Sequence, residues 1–155
     1  MSTEELYWEA RELGIASEAQ FLAFAQAEGY KPIYFGGNNA SKDVEITRDG
    51  VTSTVDVKTG FLWDDGKVGF MGRDPKKGGL QIRADYLGLV VHNDGRNAKL
   101  FGDRLVFPEH KGIYLVQSAA VEDLFVRGLR KNDGVTPTGM NVYAHLAALE
   151  EYRVR

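Results

Sequence analysis

The stretch that decides the fold runs from residue 42 to residue 58 and reads KDVEITRDGVTSTVDVK. Two runs rich in β-branched residues, 42–48 and 51–58, flank Asp49-Gly50, and an Asp-Gly pair between such runs is a strong signal for a tight hairpin. Because successive side chains of a strand point to opposite faces, valine and isoleucine prevail on one face and polar residues on the other. The sequence therefore predicts a half-buried β-hairpin.

The register of this predicted hairpin places two aspartates opposite each other. Counting outward from a two-residue turn pairs Asp43 with Asp56. Opposed Cβ atoms lie about 4.5–5.5 Å apart, and like charges there destabilise the sheet unless something neutralises them. Carboxylate oxygens suit Mg²⁺ or Mn²⁺. Lys58, on the same face as Asp56, would then lie beside the metal and could orient or deprotonate an attacking water, which indicates metal-assisted phosphodiester hydrolysis.

A structural interpretation of the same residues is also open. Asp56 and Lys58 could form a solvated ion pair on an edge strand, which would contribute little to stability. Asp-x-Lys is, moreover, a short motif that often arises by chance. The facing Asp43 favours the metal site, since an ordinary surface would more often place Lys or Thr opposite Asp56.

The chain before the hairpin predicts two short helices, 4–13 and 18–28. Gly14 separates them, Ser17 is the predicted N-cap of the second, and Gly29 is predicted to end it. Glu18 would lie in the first turn of that second helix, where the helix macrodipole stabilises an acid without any catalytic duty.

The chain after the hairpin predicts further strands and helices. Residues 86–93 and 113–116 have the apolar character of strands, and a second hairpin is predicted at Asp94-Gly95. Residues 60–79 hold six glycines and predict an excursion that faces a substrate. Helices are predicted over 118–131, with Ser118 as the cap, and over 141–152.

Bulk composition narrows the class of protein. The 155 residues are 43% hydrophobic, which predicts one domain spanning 1–155. No cysteine is present, so disulfides and thiolate metal sites are excluded. The chain shows neither a membrane-spanning run nor a signal peptide, and a cytoplasmic protein is expected. A net charge of −3 gives no global attraction to a polyanion.

The pattern resembles the PD-(D/E)xK nuclease superfamily, and within it the archaeal-type Holliday-junction resolvases. The resemblance covers residues 17–60 and 84–91: Glu18, then Gly29-Tyr30, the small-residue loop 36–41, Asp43, and VDVKT at 55–59. Lys42 stands where the family has proline, and the second acid is Asp rather than the commoner Glu. The resemblance implies an α/β fold with a restriction-endonuclease-like core, a mixed sheet flanked by helices. It also implies that Asp43 and Asp56 are direct metal ligands, Glu18 an outer metal-site acid and Lys58 the catalytic lysine.

The resemblance further implies a Mg²⁺- or Mn²⁺-dependent endonuclease with DNA as its partner. A homodimer is expected, because such nucleases often need two sites to cut two strands. The best local basic cluster for nucleic acid is Arg73, Lys76, Lys77 and Arg83, and Trp63 and Phe70 are candidates for stacking on bases. An equal alternative is an ordinary charged loop whose aromatic side chains pack on the core. The alternative is a non-catalytic regulatory module that uses a nuclease-like sheet to hold nucleic acid or protein.

Overall fold

The computed structural model describes residues 3–35, 43–62, 66–72, 82–91, 112–128 and 140–155. None of the helices in these ranges has the length and apolar character needed to cross a bilayer. The elements found there, in chain order, are α1 (Thr3–Ala27), β1 (Lys31–Tyr34), β2 (Val44–Arg48), β3 (Val51–Leu62), β4 (Lys67–Gly72), β5 (Tyr86–Val91), β6 (Gly112–Gln117), α2 (Ser118–Leu124), β7 (Val126–Gly128), β8 (Met140–His145), α3 (Leu146–Leu149) and a closing 3₁₀ turn, Glu150–Tyr152.

The N-terminal segment forms one continuous helix, so the prediction of two helices is wrong. Gly14 lies inside α1, and Ser17 is a buried helical residue instead of an N-cap. A glycine in a helix interior costs only about 1 kcal/mol relative to alanine. The burial of Phe21, Phe24 and Ala25 against the sheet readily offsets that cost.

The end of α1 is where the sequence predicts it. Gly29 has φ +84°, its N–H donates to the Gln26 carbonyl at 3.1 Å, and the Tyr30 N–H donates to the Ala25 carbonyl at 2.9 Å. This pair of bonds is the Schellman motif, which glycine favours because it adopts positive φ without strain. The chain is thereby turned back toward β1.

The predicted hairpin is confirmed. Strands β2 and β3 pair antiparallel, with Arg48 opposite Val51 and Val44 opposite Val55. Asp49 and Gly50 both have positive φ, 53° and 75°, as a type I′ turn requires. The turn chemistry and the alternation of side chains together determine this register.

The sheet is mixed and flanked by helices, as predicted. Strands β1, β2, β3, β5 and β6 lie side by side in that order, and β5 runs parallel to β3 while the other neighbours are antiparallel. The far end of β3, Phe61 and Leu62, pairs instead with β4, and the sheet continues through β8 to β7. The long strand β3 is therefore shared by two parts of the sheet.

Two apolar clusters cover the two faces of the central strands. Helix α1 packs Phe21 and Phe24 against Val55 and Val57 on one face. On the other face Leu87 and Leu89 pack with residues from β4, β6 and β8. Strand β5 is thus buried on both faces, as its nearly continuous apolar sequence predicts.

Helix α1 approaches the sheet closely at Gly88. A Cβ atom there would lie 2.8 Å from Val55 Cγ1 and 3.0 Å from Phe21 Cε2. We expect Gly88→Ala to lower the free energy of unfolding by about 1–3 kcal/mol, measured by urea denaturation. Gly14→Ala is the matched control: its Cβ would meet nothing within 4 Å, and the change should stabilise the helix by about 0.5–1 kcal/mol. Equal effects of the two changes would contradict this packing.

The C-terminal third differs from the helices predicted there. Helix α2 ends at Leu124 and is followed by strand β7. Residues 141–145, the first part of the predicted last helix, form strand β8, while 146–152 form α3 and the 3₁₀ turn and confirm the rest of that helix. Ser118 does not cap α2; its hydroxyl donates to the Ala84 carbonyl. Pairing of β8 with β4 and the burial of Val142 and Ala144 outweigh the local helical preference.

The prediction of a glycine-rich excursion over residues 60–79 is also partly wrong. Gly60 belongs to β3, and Lys67–Gly72 forms β4. Phe70 is 1% exposed, and its ring packs edge-on against Phe125 with centroids 5.1 Å apart, so it is a core residue and not a base-stacking one. The remaining part of the excursion and the predicted turn at Asp94-Gly95 lie outside the described residues.

Candidate active site

Strand β3 carries the predicted acid and lysine at its middle. The Lys58 Nζ lies 3.5 Å from Asp56 Oδ1, and the two side chains are 24% and 20% exposed. Val55 and Val57 face α1, so alternation places Asp56 and Lys58 on the opposite face. The lysine therefore lies beside the acid, and both side chains are partly exposed to solvent.

Asp43 reaches β3 with its side chain rather than by backbone pairing. The paired register ends at Val44 and Val55, and the Asp43 N–H donates to the Val55 carbonyl at 3.0 Å, one residue short of the place opposite Asp56. Its carboxylate accepts the Val57 N–H at 2.8 Å. The direct cross-strand pairing predicted for the two aspartates is thus replaced by a closer arrangement, in which the Asp43 carboxylate takes the place of a ladder acceptor.

The environment of Asp43 strongly disfavours its charge. Only 8% of the residue is exposed, and burial, the charge of Asp56, a hydrogen bond with Asp56 and the charge of Glu18 raise the pKa of Asp43 from 3.8 to about 7. The Val57 N–H acts in the opposite direction. Asp56 and Glu18 therefore both act electrostatically on Asp43, which lies immediately before β2.

Glu18 is held by a tyrosine that sequence reasoning missed. The Tyr34 hydroxyl donates to the Glu18 carboxylate, and this bond is the main reason why the pKa of Tyr34 is raised to about 12. Tyr34 lies opposite Val44 in the register of β1 and β2, and Val44 faces α1. A lone tyrosine in an edge strand has no sequence signal that distinguishes this role from packing.

Helix α1 is also tied directly to the strand that carries the site. The hydroxyls of Ser17 and Thr59 lie 2.6 Å apart, and Ser17 is 1% exposed. These residues immediately neighbour Glu18 and Lys58 in the chain. The bond therefore sets the position of the helix turn that carries Glu18 relative to β3.

The metal-ligating capacity of the site rests on a pair of acids. Across the described ranges, no group of three histidine or acidic side chains is close enough to hold an ion. Asp43 and Asp56 form the close pair, and the Glu18 carboxylate accepts the Tyr34 hydroxyl. The role of Glu18 as an outer metal-site acid stays a prediction.

The predicted nucleic-acid contacts are described only in part. Arg83 is exposed and lies three residues before β5. Its neighbour Asp85 accepts the Thr54 N–H at 2.9 Å, which ties this segment to β3. Arg73, Lys76, Lys77 and Trp63 lie outside the described residues.

The fold has a counterpart among solved structures. No protein-family model and no curated protein sequence matches the chain. The structure of a bacterial homing endonuclease, I-Ssp6803I, is similar to it with a TM-score of 0.53 over 90% of this chain and 83% of that one, at 13% sequence identity. This likeness shows that the chain has the fold of a nuclease.

Proposed function

We propose that the protein is a metal-dependent endonuclease that hydrolyses phosphodiester bonds of DNA. The observation that carries the proposal is a buried aspartate, Asp43, held against Asp56 with Lys58 beside it. Burying one carboxylate next to another destabilises a fold, and such arrangements recur at functional sites. The fold shared with a homing endonuclease supports the same reaction class.

The donor set fits magnesium or manganese. Mg²⁺ is usually bound by one or two carboxylates, with waters and substrate phosphate completing its shell, so a pair of aspartates is sufficient. Asp43 and Asp56 would hold the ion, with Glu18 as an outer acid. When bound, the ion supplies Lewis-acid activation of the scissile phosphate and of water.

Each residue of the site then has a defined task. The Val57 N–H fixes the orientation of the Asp43 carboxylate, which must lose its proton before it can bind a cation. Asp56 positions the Lys58 ammonium, which donates hydrogen bonds to the phosphate as negative charge develops. In the reaction a water oxygen bonds to phosphorus, the bond from phosphorus to the leaving oxygen breaks, and the water proton is passed on to the leaving group.

The finer assignment follows the resemblance described above. A helix, the β2–β3 hairpin and the parallel strand β5 appear in the order of a PD-(D/E)xK core, and we propose a restriction-endonuclease-like enzyme that acts on structured DNA, as junction resolvases do. Arg83, with Arg73, Lys76 and Lys77, would contact the phosphate backbone. Two copies would cut two strands, so we propose a homodimer.

The test is cleavage of a substrate panel by the wild-type chain. Four-way junction, flap, plasmid, single-stranded DNA and RNA are incubated with Mg²⁺, with Mn²⁺ and with a chelator. Cleavage that requires either ion is the expected result. If nothing is cut and calorimetry detects no binding of either ion, the proposal fails and a non-catalytic binding module takes its place.

A further inference from the structure

Two apolar side chains are exposed on the sheet face that carries Asp56 and Lys58. Ile33 is 53% and Phe35 40% exposed. Ile33 lies opposite Glu45 in the register of β1 and β2, and the Phe35 N–H donates to the Asp43 carbonyl at 2.9 Å, which continues that register by one residue. Because Tyr34 between them faces α1, alternation places both on the opposite face.

Phe35 consequently adjoins the acids of the site. Its N–H donates to the Asp43 carbonyl, and the Asp43 side chain is in turn hydrogen-bonded with Asp56. Neighbouring strands lie about 4.8 Å apart. The backbones of Phe35 and Asp43 are therefore one strand spacing apart, a separation that a single nucleotide with its phosphate at the two aspartates can span.

The chemistry of this shelf, Ile33 and Phe35, favours a nucleobase over a duplex backbone. An aromatic ring offers a flat apolar surface on which any base can stack. Bases within a duplex present only their edges to the grooves, because both of their faces are already stacked.

We infer that Phe35 is a specificity-determining residue that stacks on an unpaired base next to the scissile phosphate, with Ile33 extending the shelf. The substrate class is then single-stranded or branched nucleic acid with an unpaired nucleotide at the cut. This inference rests on the proposed function, since it assumes that the scissile phosphate lies at Asp43 and Asp56.

The experiment compares Phe35→Ala and Phe35→Trp with the wild type on two matched substrates. One is a fully paired duplex, and the other has the same sequence with unpaired nucleotides at the cut. Phe35→Ala should lower kcat/KM on the unpaired substrate by roughly 10- to 100-fold and change duplex cleavage by less than about twofold. Phe35→Trp should retain activity on both. Val51→Ala, which truncates a residue 66% exposed at the hairpin turn, is the matched control and should change neither.

A binding readout separates stacking from catalysis. The fluorescence of a 2-aminopurine base at the unpaired position should be quenched when Lys58→Ala protein, which should cleave far more slowly, binds the substrate. The Lys58→Ala, Phe35→Ala double variant should not quench it. An equal loss of kcat/KM on both substrates, or undiminished quenching in the double variant, would overturn the stacking role. Conversion of a dimer to a monomer by Phe35→Ala in sedimentation would overturn it too and assign the shelf to a second copy. If the wild type cuts no substrate, the proposed function itself fails, whereas wild-type cleavage with an unaffected Phe35→Ala refutes stacking alone.

Discussion

Truncation of Lys58 to alanine is expected to lower kcat for metal-dependent DNA cleavage about 10²- to 10³-fold, the cost typical of removing one preorganised donor from a developing oxyanion. The Nζ atom lies 3.5 Å from Asp56, so it also opposes a cation bound there. Lys58→Ala should therefore bind Mg²⁺ as tightly as the wild type or more tightly. Asp56→Asn should lose both metal binding and cleavage, because it removes a ligand charge.

Calorimetry and single-turnover cleavage together distinguish these two roles. Asp49→Asn removes the same charge at the turn of the same hairpin, where asparagine tolerates the positive φ, and it should leave both measurements unchanged. Lys31→Ala, at an exposed position on β1, is the corresponding control for the lysine. If Lys58→Ala keeps the wild-type kcat, Lys58 takes no part in the reaction.

Asp43→Asn is expected to stabilise the metal-free protein at pH 8 and to abolish cleavage. Burial beside Asp56 raises the pKa of Asp43 from 3.8 to about 7, so the folded protein binds this proton more tightly than the unfolded chain. The stability associated with the proton is fully present below about pH 4 and is lost as the pH rises through 7. Asparagine carries no charge and can still accept the Val57 N–H through its carbonyl oxygen.

The difference in Tm between Asp43→Asn and the wild type, measured with a chelator, should therefore grow in favour of the variant from about pH 5 to pH 8. A pKa shift of this size corresponds to about 4 kcal/mol at pH 8, so we expect a gain of about 2–4 kcal/mol, or about 4–16 °C. Adding Mg²⁺ should give the wild type the higher Tm, because the ion stabilises only the protein that can bind it. A pH-independent difference, or stabilisation of both proteins by Mg²⁺, would contradict the role given to Asp43.

The hairpin and its acid and lysine could be predicted because local chemistry determines them. Asp49-Gly50 sets the turn type, the turn sets the register, and alternation places Asp56 and Lys58 on one face. None of these steps requires knowledge of the rest of the chain.

The remainder of the site depends on contacts between distant segments. The approach of Tyr34 to Glu18 follows from how α1 lies on β1, which no local pattern encodes. The departure of Asp43 from the ladder likewise reflects competition between backbone and side-chain acceptors for the Val57 N–H. The strand conformation of β8 depends on pairing with β4, whose residues lie more than sixty positions earlier in the chain. The local pattern of β8 contains no trace of that pairing and therefore predicts a helix.

The shared strand β3 has a consequence for how the molecule opens. Its first residues pair with β2, its middle residues with β5 and its last with β4. Val55 and Val57 belong to one apolar cluster, and Leu62 packs against the other. Strands of this kind exchange their amide protons only on global unfolding, whereas an edge strand such as β1 opens in small local fluctuations. We therefore expect the amides of Asp56 and Lys58 to exchange slowly, while Phe35, which directly follows β1, can adjust without disturbing them.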